Sequence, residues 1–154
     1  MKYAFMLLII ALTSCTAGGV ASSSGGGATA PVTQITKINV SLAAYPLQTT
    51  PAGSALGFSP EVTTVAVGSG VQFVNVDNTT HTATSFSGST FPSASPLSVS
   101  ALTSSGSTLS GSFGSGTLQP GQSSQVFLVD RAGTYLYGCF FHYSGSMRGM
   151  IVAQ

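Results

Sequence analysis

Tyr137-Gly138-Cys139-Phe140-Phe141-His142-Tyr143-Ser144-Gly145-Ser146-Met147-Arg148-Gly149 is the stretch on which the reading of this chain turns. It sets Cys139, His142 and Met147 at the spacing C-x2-H-x4-M. A thiolate, an imidazole and a thioether in one loop offer a metal two soft sulfurs and one borderline nitrogen. That donor set suits copper in both of its common oxidation states, and two His with one Cys and a weak axial Met make an electron-transfer site. The chain has only two His, so the second imidazole has to come from His81.

On either side of this loop the pattern is that of β-strands. Ile35 to Leu42 alternates apolar and polar residues with one slip. Val62–Val67 and Val71–Val76 are Val-rich runs parted by Gly68-Ser69-Gly70, which predicts a hairpin. Ser124–Val129 and Thr134–Cys139 follow, split by Asp130-Arg131-Ala132-Gly133, and Arg148–Ala153 is the last run. Outside the N-terminal segment no stretch keeps a 3.6-residue period. Short strands with Gly-rich turns predict an all-β, antiparallel sandwich or barrel. Residues 85–118 contain thirteen Ser and no charge, and are expected to add loops and short strands over one side of it. Either a docking surface or a tolerated surface insertion fits that composition.

The N-terminus reads differently. Lys2, an apolar run from Tyr3 to Leu12, and Leu12-Thr13-Ser14-Cys15 resemble a bacterial lipoprotein signal, too short to span a bilayer. Residues 1–14 are thus expected to be removed and Cys15 to carry lipid, which holds the protein on the outer side of a membrane. Residues 15–31, small and Gly/Ser-rich, form the expected tether, and 32–154 the folded domain. With Cys15 lipidated, Cys139 is the only thiol left. Lys37, Arg131 and Arg148 then balance Glu61, Asp77 and Asp130, and no basic patch exists for nucleic acid. Charged residues are 5% of the chain against roughly 25% in ordinary domains. So few carboxylates predict tolerance of acid.

Gly70–Thr82 resembles the first-ligand strand of the cupredoxins, G-x-x-V-x-F-x-N-x-D followed by His. Leu118-Gln119-Pro120-Gly121-Gln122-Ser123 and Ala132–Cys139 resemble their L-x-P-G-x-S and G-x-Y-x-Y-x-C strands. The ligand loop is similar in spacing to the plastocyanin and pseudoazurin type. The resemblance is tight over 61–82 and 118–152 and loose over 85–117. It implies a Greek-key sandwich and one copper ion, bound by His81, Cys139 and His142 as a trigonal set with Met147 as a long axial ligand. It also implies a tyrosine-corner role for Tyr135, and an apolar patch around His142, drawn from Phe140, Phe141 and Tyr143, where electrons enter.

Two positions depart from that pattern: Phe141 stands where Pro is common before the second His, and Thr82 where Asn often ties the two ligand segments together. Met150 is a rival thioether, but it falls inside the last run, where core filling is the ordinary role. Zinc with Asp77 as a fourth ligand is the rival metal, disfavoured because thioether suits zinc poorly. The expected function is transfer of single electrons between redox protein partners by a monomeric domain. A copper-handling lipoprotein without that role is the alternative. An enzyme is not expected: Gly138 and Phe140 flank Cys139, and no His remains for a second copper centre.

Overall fold

The computed structural model describes Val32 and residues 34–154. The expected leader (1–14) and tether (15–31) lie outside the described residues. In chain order the strands are β1 (Ile35–Val40), β2 (Gln48–Thr50), β3 (Gly53–Ala55), β4 (Phe58–Ser59), β5 (Val62–Val65), β6 (Gly70–Asn75), β7 (Thr84–Phe86), β8 (Ser104–Ser105), β9 (Gly114–Ser115), β10 (Phe127–Leu128), β11 (Gly133–Gly138) and β12 (Arg148–Ala153). Short 3-10 turns cover Val99–Leu102 and Tyr143–Gly145.

Two open sheets face each other, one in the order β10-β6-β1-β4 and the other β5-β12-β11-β7-β9-β8. They form a sandwich, not a closed barrel. Most ladders are antiparallel, but β1 pairs β6 and β5 pairs β12 in parallel. The alternation read in the sequence is what builds the core. Ile38 and Val40 of β1, Val71 and Phe73 of β6, and Phe127 of β10 point inward against Val65, Tyr137, Ile151 and Ala153 of the facing sheet. Phe73 lies at the centre, edge-on to Tyr137 at 5.0 Å and to Phe58 at 6.2 Å, and stacked on Phe113 at 5.9 Å. Such aromatic pairs add to the burial of their area.

One expectation is corrected. Gly68-Ser69-Gly70 does not close a hairpin, because β5 and β6 belong to different sheets. The turn is tight: Ser69 donates to the Ala66 carbonyl through both its N–H and its hydroxyl, and Gly68 takes a positive φ of 90°. It carries the chain across the core instead of back along the same sheet. Val65 and Val71 both point into the space between the layers, so each strand finds its partners elsewhere.

The run Ser124–Val129 also pairs less than expected. Val74 sits opposite Ser123 and Val71 opposite Phe127, so the second side carries one residue more than the first. This is a bulge. There the Ser124 hydroxyl accepts the Phe73 N–H at 3.0 Å and replaces a ladder bond.

The Ser-rich stretch adds β7, β9 and β8 to the edge of the second sheet. Phe86 and Phe91 from it pack with Ala52, Leu136, Met150 and Val152 into a small second core on that sheet's outer face. The expected position over one side is therefore what the chain adopts.

Candidate metal centre

Three segments meet at one end of the sandwich. The first is the turn after β6, held by the fully buried Asn75. Its amide donates to the carbonyls of Thr79 and Leu118 at 2.8 Å each, and its side-chain oxygen accepts the Asp77 N–H at 2.9 Å. The second is Leu118, between β9 and β10, which exchanges backbone hydrogen bonds with His81 in both directions. The third is the loop from Cys139 to Met147, closed by Cys139 N–H to Met147 O at 3.0 Å and Met147 N–H to His142 O at 3.3 Å.

These segments bring His81, Cys139 and His142 together, with all three donor atoms within 4.8 Å of one another. The Cys139 Sγ lies 3.7 Å from His81 Nδ1 and 3.6 Å from His142 Nδ1. Met147 is fully buried in the same cluster of side chains as Cys139. Met150, three residues further on and inside β12, is in the small core on the opposite face with Ala52 and Leu136.

The protonation pattern fits a metal ion. His81 Nε2 lies 3.0 Å from the Asp77 carboxylate and 3.1 Å from the Thr79 hydroxyl. An ionised carboxylate only accepts, so Nε2 carries a proton, and it is Nδ1 that faces the sulfur. Burial pulls the Asp77 pKa up. The bond from His81 and the N–H groups of Asn78 and Leu42 outweigh it and bring the value down to about 2. Burial, reinforced by the neighbouring His81, pushes the His142 pKa down and keeps that ring neutral. Burial pushes the Cys139 thiol up, partly offset by the Thr82 N–H at 3.4 Å from its sulfur. Two imidazoles, a thiol that a cation would deprotonate, and a buried thioether suit copper.

Thr82 fills the role that Asn was expected to hold. Its N–H points at Sγ and its hydroxyl accepts the Phe140 N–H at 2.8 Å, so it still joins the two ligand segments. The Tyr135 hydroxyl donates to the Arg131 carbonyl at 2.8 Å, four residues back, and closes the expected tyrosine corner. Of the three rings around His142, Phe141 is exposed, Phe140 is half-buried, and Tyr143 belongs to the interior. Asp77, the fourth ligand of the rival zinc reading, orients His81 instead.

A sandwich with His, Cys, His and Met at one tip defines the class of single-copper cupredoxins. The sequence model described as "Copper binding proteins, plastocyanin/azurin family" matches residues 46–154. The chain belongs to that family, and its cofactor is one copper ion. No curated protein sequence matches it significantly. Among solved structures it is similar to a purple cupredoxin from Nitrosopumilus maritimus, with 20% identity and TM-score 0.47, over 77% of this chain and 98% of that one. It is similar to oxidised plastocyanin from Dryopteris crassirhizoma, with 23% identity and TM-score 0.46, over 77% and 100%. It is also similar to part of a copper-containing nitrite reductase from Thermus scotoductus, with 23% identity and TM-score 0.44, over 63% and 20%.

Proposed function

We propose that this protein is an exported blue copper protein that carries single electrons between protein partners. His81, Cys139, His142 and Met147 would hold the copper ion, the first three through donor atoms that lie within 4.8 Å of one another. The observation that carries the reading is the Cys139 sulfur flanked by two imidazole Nδ1 atoms at 3.6–3.7 Å. Copper bound there would supply a one-electron couple. The chain supplies the rest. Asp77 fixes the His81 tautomer, Thr82 donates a hydrogen bond to the sulfur, and the full burial of His81, Cys139 and Met147 keeps water from them.

His142 is the only one of the four that is not fully buried, and Phe141 beside it is 45% exposed. Electrons enter and leave through that ring, and partners dock on the apolar surface around it. Carriage fits better than catalysis because both His of the sequence are already used. Export, the lipid on Cys15 and the membrane-facing location rest on the leader-like residues 1–15 alone. Loss of the protein from the membrane fraction on Cys15→Ser would support them.

The test of the site is direct. One equivalent of Cu(II) added to the purified domain should give the intense visible absorption of a copper–thiolate bond, and Cys139→Ser should abolish it. A wild-type domain that stays colourless rejects the electron-carrier reading. A coloured domain that yields its copper readily to a mild chelator and is not reversibly reduced favours copper handling instead.

A further inference from the structure

Met147 is held by more than its own loop. The strap Ser54–Gly57, which ends β3 and leads into β4, runs directly beside it. Leu56 bridges to both Met147 and Arg148, and the Leu56 N–H donates to the Ser146 carbonyl at 3.0 Å. Gly57 follows with a φ of +79° and no side chain. A methyl group there would lie 2.8 Å from Met147 Cγ, 3.1 Å from Cε and 3.4 Å from Sδ. The backbone of Gly57 is therefore a wall against the thioether. Its carbonyl is turned away and accepts the Ser41 N–H at 2.9 Å.

Arg148 fastens that wall. Its Nε donates to the Ser54 carbonyl at 2.8 Å and its Nη1 to the Pro92 carbonyl at 3.0 Å. The guanidinium also stands over the rings of Phe91 at 5.2 Å and Tyr143 at 5.1 Å. One side chain, next in sequence to Met147, thus ties together the strap, the Ser-rich segment and the ligand loop. A planar guanidinium can make all these contacts at once and a lysine cannot.

We infer that Gly57 and Arg148 are positioning residues for the Met147 thioether, and that through it they set the relative stability of the two copper oxidation states. The inference rests on Met147 being the axial ligand. A buried thioether cannot yield to a new methyl group without moving its sulfur, and axial ligation tunes the potential of such sites.

The test is a pair of double-mutant cycles on the copper-loaded domain. Gly57→Ala and Arg148→Lys are each measured alone and in the Met147→Leu background, by redox titration and by the visible spectrum. The methyl resonance of Met147 in the metal-free protein is the independent readout. Expected for Gly57→Ala is a change on the order of tenfold in the Cu(II)/Cu(I) equilibrium, about 59 mV for one electron. A smaller change is expected for Arg148→Lys. Both should shift the methyl resonance, and both redox effects should vanish when residue 147 is Leu. Redox effects that persist unchanged in that background, or no effect at all, overturn the inference. If Met147→Leu alone leaves potential and spectrum untouched, the axial assignment itself is wrong and the inference falls with it. Should Gly57→Ala not fold, Arg148→Lys, at an ordinary backbone position, carries the test.

Discussion

Cys139 is a thiol buried between two imidazoles, and burial raises its pKa. Without metal it holds its proton at neutrality, and copper bound at the proposed site would have to displace that proton. Apparent copper affinity should therefore rise about tenfold per pH unit between pH 7 and 8, with about one proton released. Calorimetry in buffers of different ionisation enthalpy would measure that release; affinity flat across this range would contradict it. The His81 tautomer depends on Asp77. Asp77→Asn keeps the shape but offers its amide NH2 as readily as its oxygen. Copper affinity is expected to weaken by roughly 10–100-fold, the usual effect of losing such an outer partner, while far-UV circular dichroism stays unchanged. Tyr137 makes the opposite point. Its ring is central to the core, yet its hydroxyl has no hydrogen-bond partner among the described residues. Tyr137→Phe should not destabilise the domain, and urea unfolding should show a gain of up to about 1 kcal/mol.

Among the strands, β6 does two tasks: Phe73 centres the core, and Asn75 at its end shapes the turn that presents His81. Phe73→Ala should cost about 3–5 kcal/mol in chemical denaturation, and a loss below 1 kcal/mol would mean that the core repacks around the gap. The strands were legible because alternation survives in runs such as Val71, Phe73 and Asn75, which are buried while Gln72 and Val74 between them are not. The hairpin between β5 and β6 was misread because a Gly-Ser-Gly turn reverses the chain equally well within a sheet or across a sandwich. Only the partner strands decide which, and these are remote in sequence. The site shows the same division. Cys139, His142 and Met147 share one loop, so their spacing is visible. His81 was reachable because the chain has only two His. Gly57 left no trace, because its approach to Met147 is a tertiary contact. The Arg148 bond to Ser54, which ties the same strap to the ligand loop, spans 94 residues. Thr82 looked like a defect in the pattern because the sequence could not show that a hydroxyl reaches the Phe140 N–H.

For the whole molecule, the scarcity of charge governs both partners and acid response. Only seven residues of the sequence are Lys, Arg, Asp or Glu. Long-range steering is therefore weak, and association with a redox partner should change little in rate as salt is raised if partners dock, as proposed, on the apolar surface around Phe141. Stopped-flow rates that fall steeply with ionic strength would count against it. Acid response follows from the direction of each shift. The carboxyl of Asp130 is raised by burial, but the hydroxyl and N–H of Ser110 outweigh this and hold its pKa below the ordinary value. A carboxylate so held stabilises the fold above its unfolded pKa, near 4, and that contribution is lost as pH falls through the lower folded value. Asp77 behaves alike, down to about 2. His142 acts earlier. Its folded pKa is depressed, so the unfolded chain takes up the proton first, and stability declines as pH drops from about 6.5 toward the folded value. The metal-free domain should therefore lose melting temperature in two separate steps, a small one below pH 6.5 and another below pH 4, with little change between. Asp130→Asn should shrink the second step and leave the first intact, because its bonds to Ser110 join the β10–β11 turn to the β8–β9 segment and not to the ligand loop. Thermal melts from pH 8 to 2 would measure both. Profiles of the variant and the parent that superimpose below pH 4 would show that Ser110 does not hold the Asp130 carboxylate.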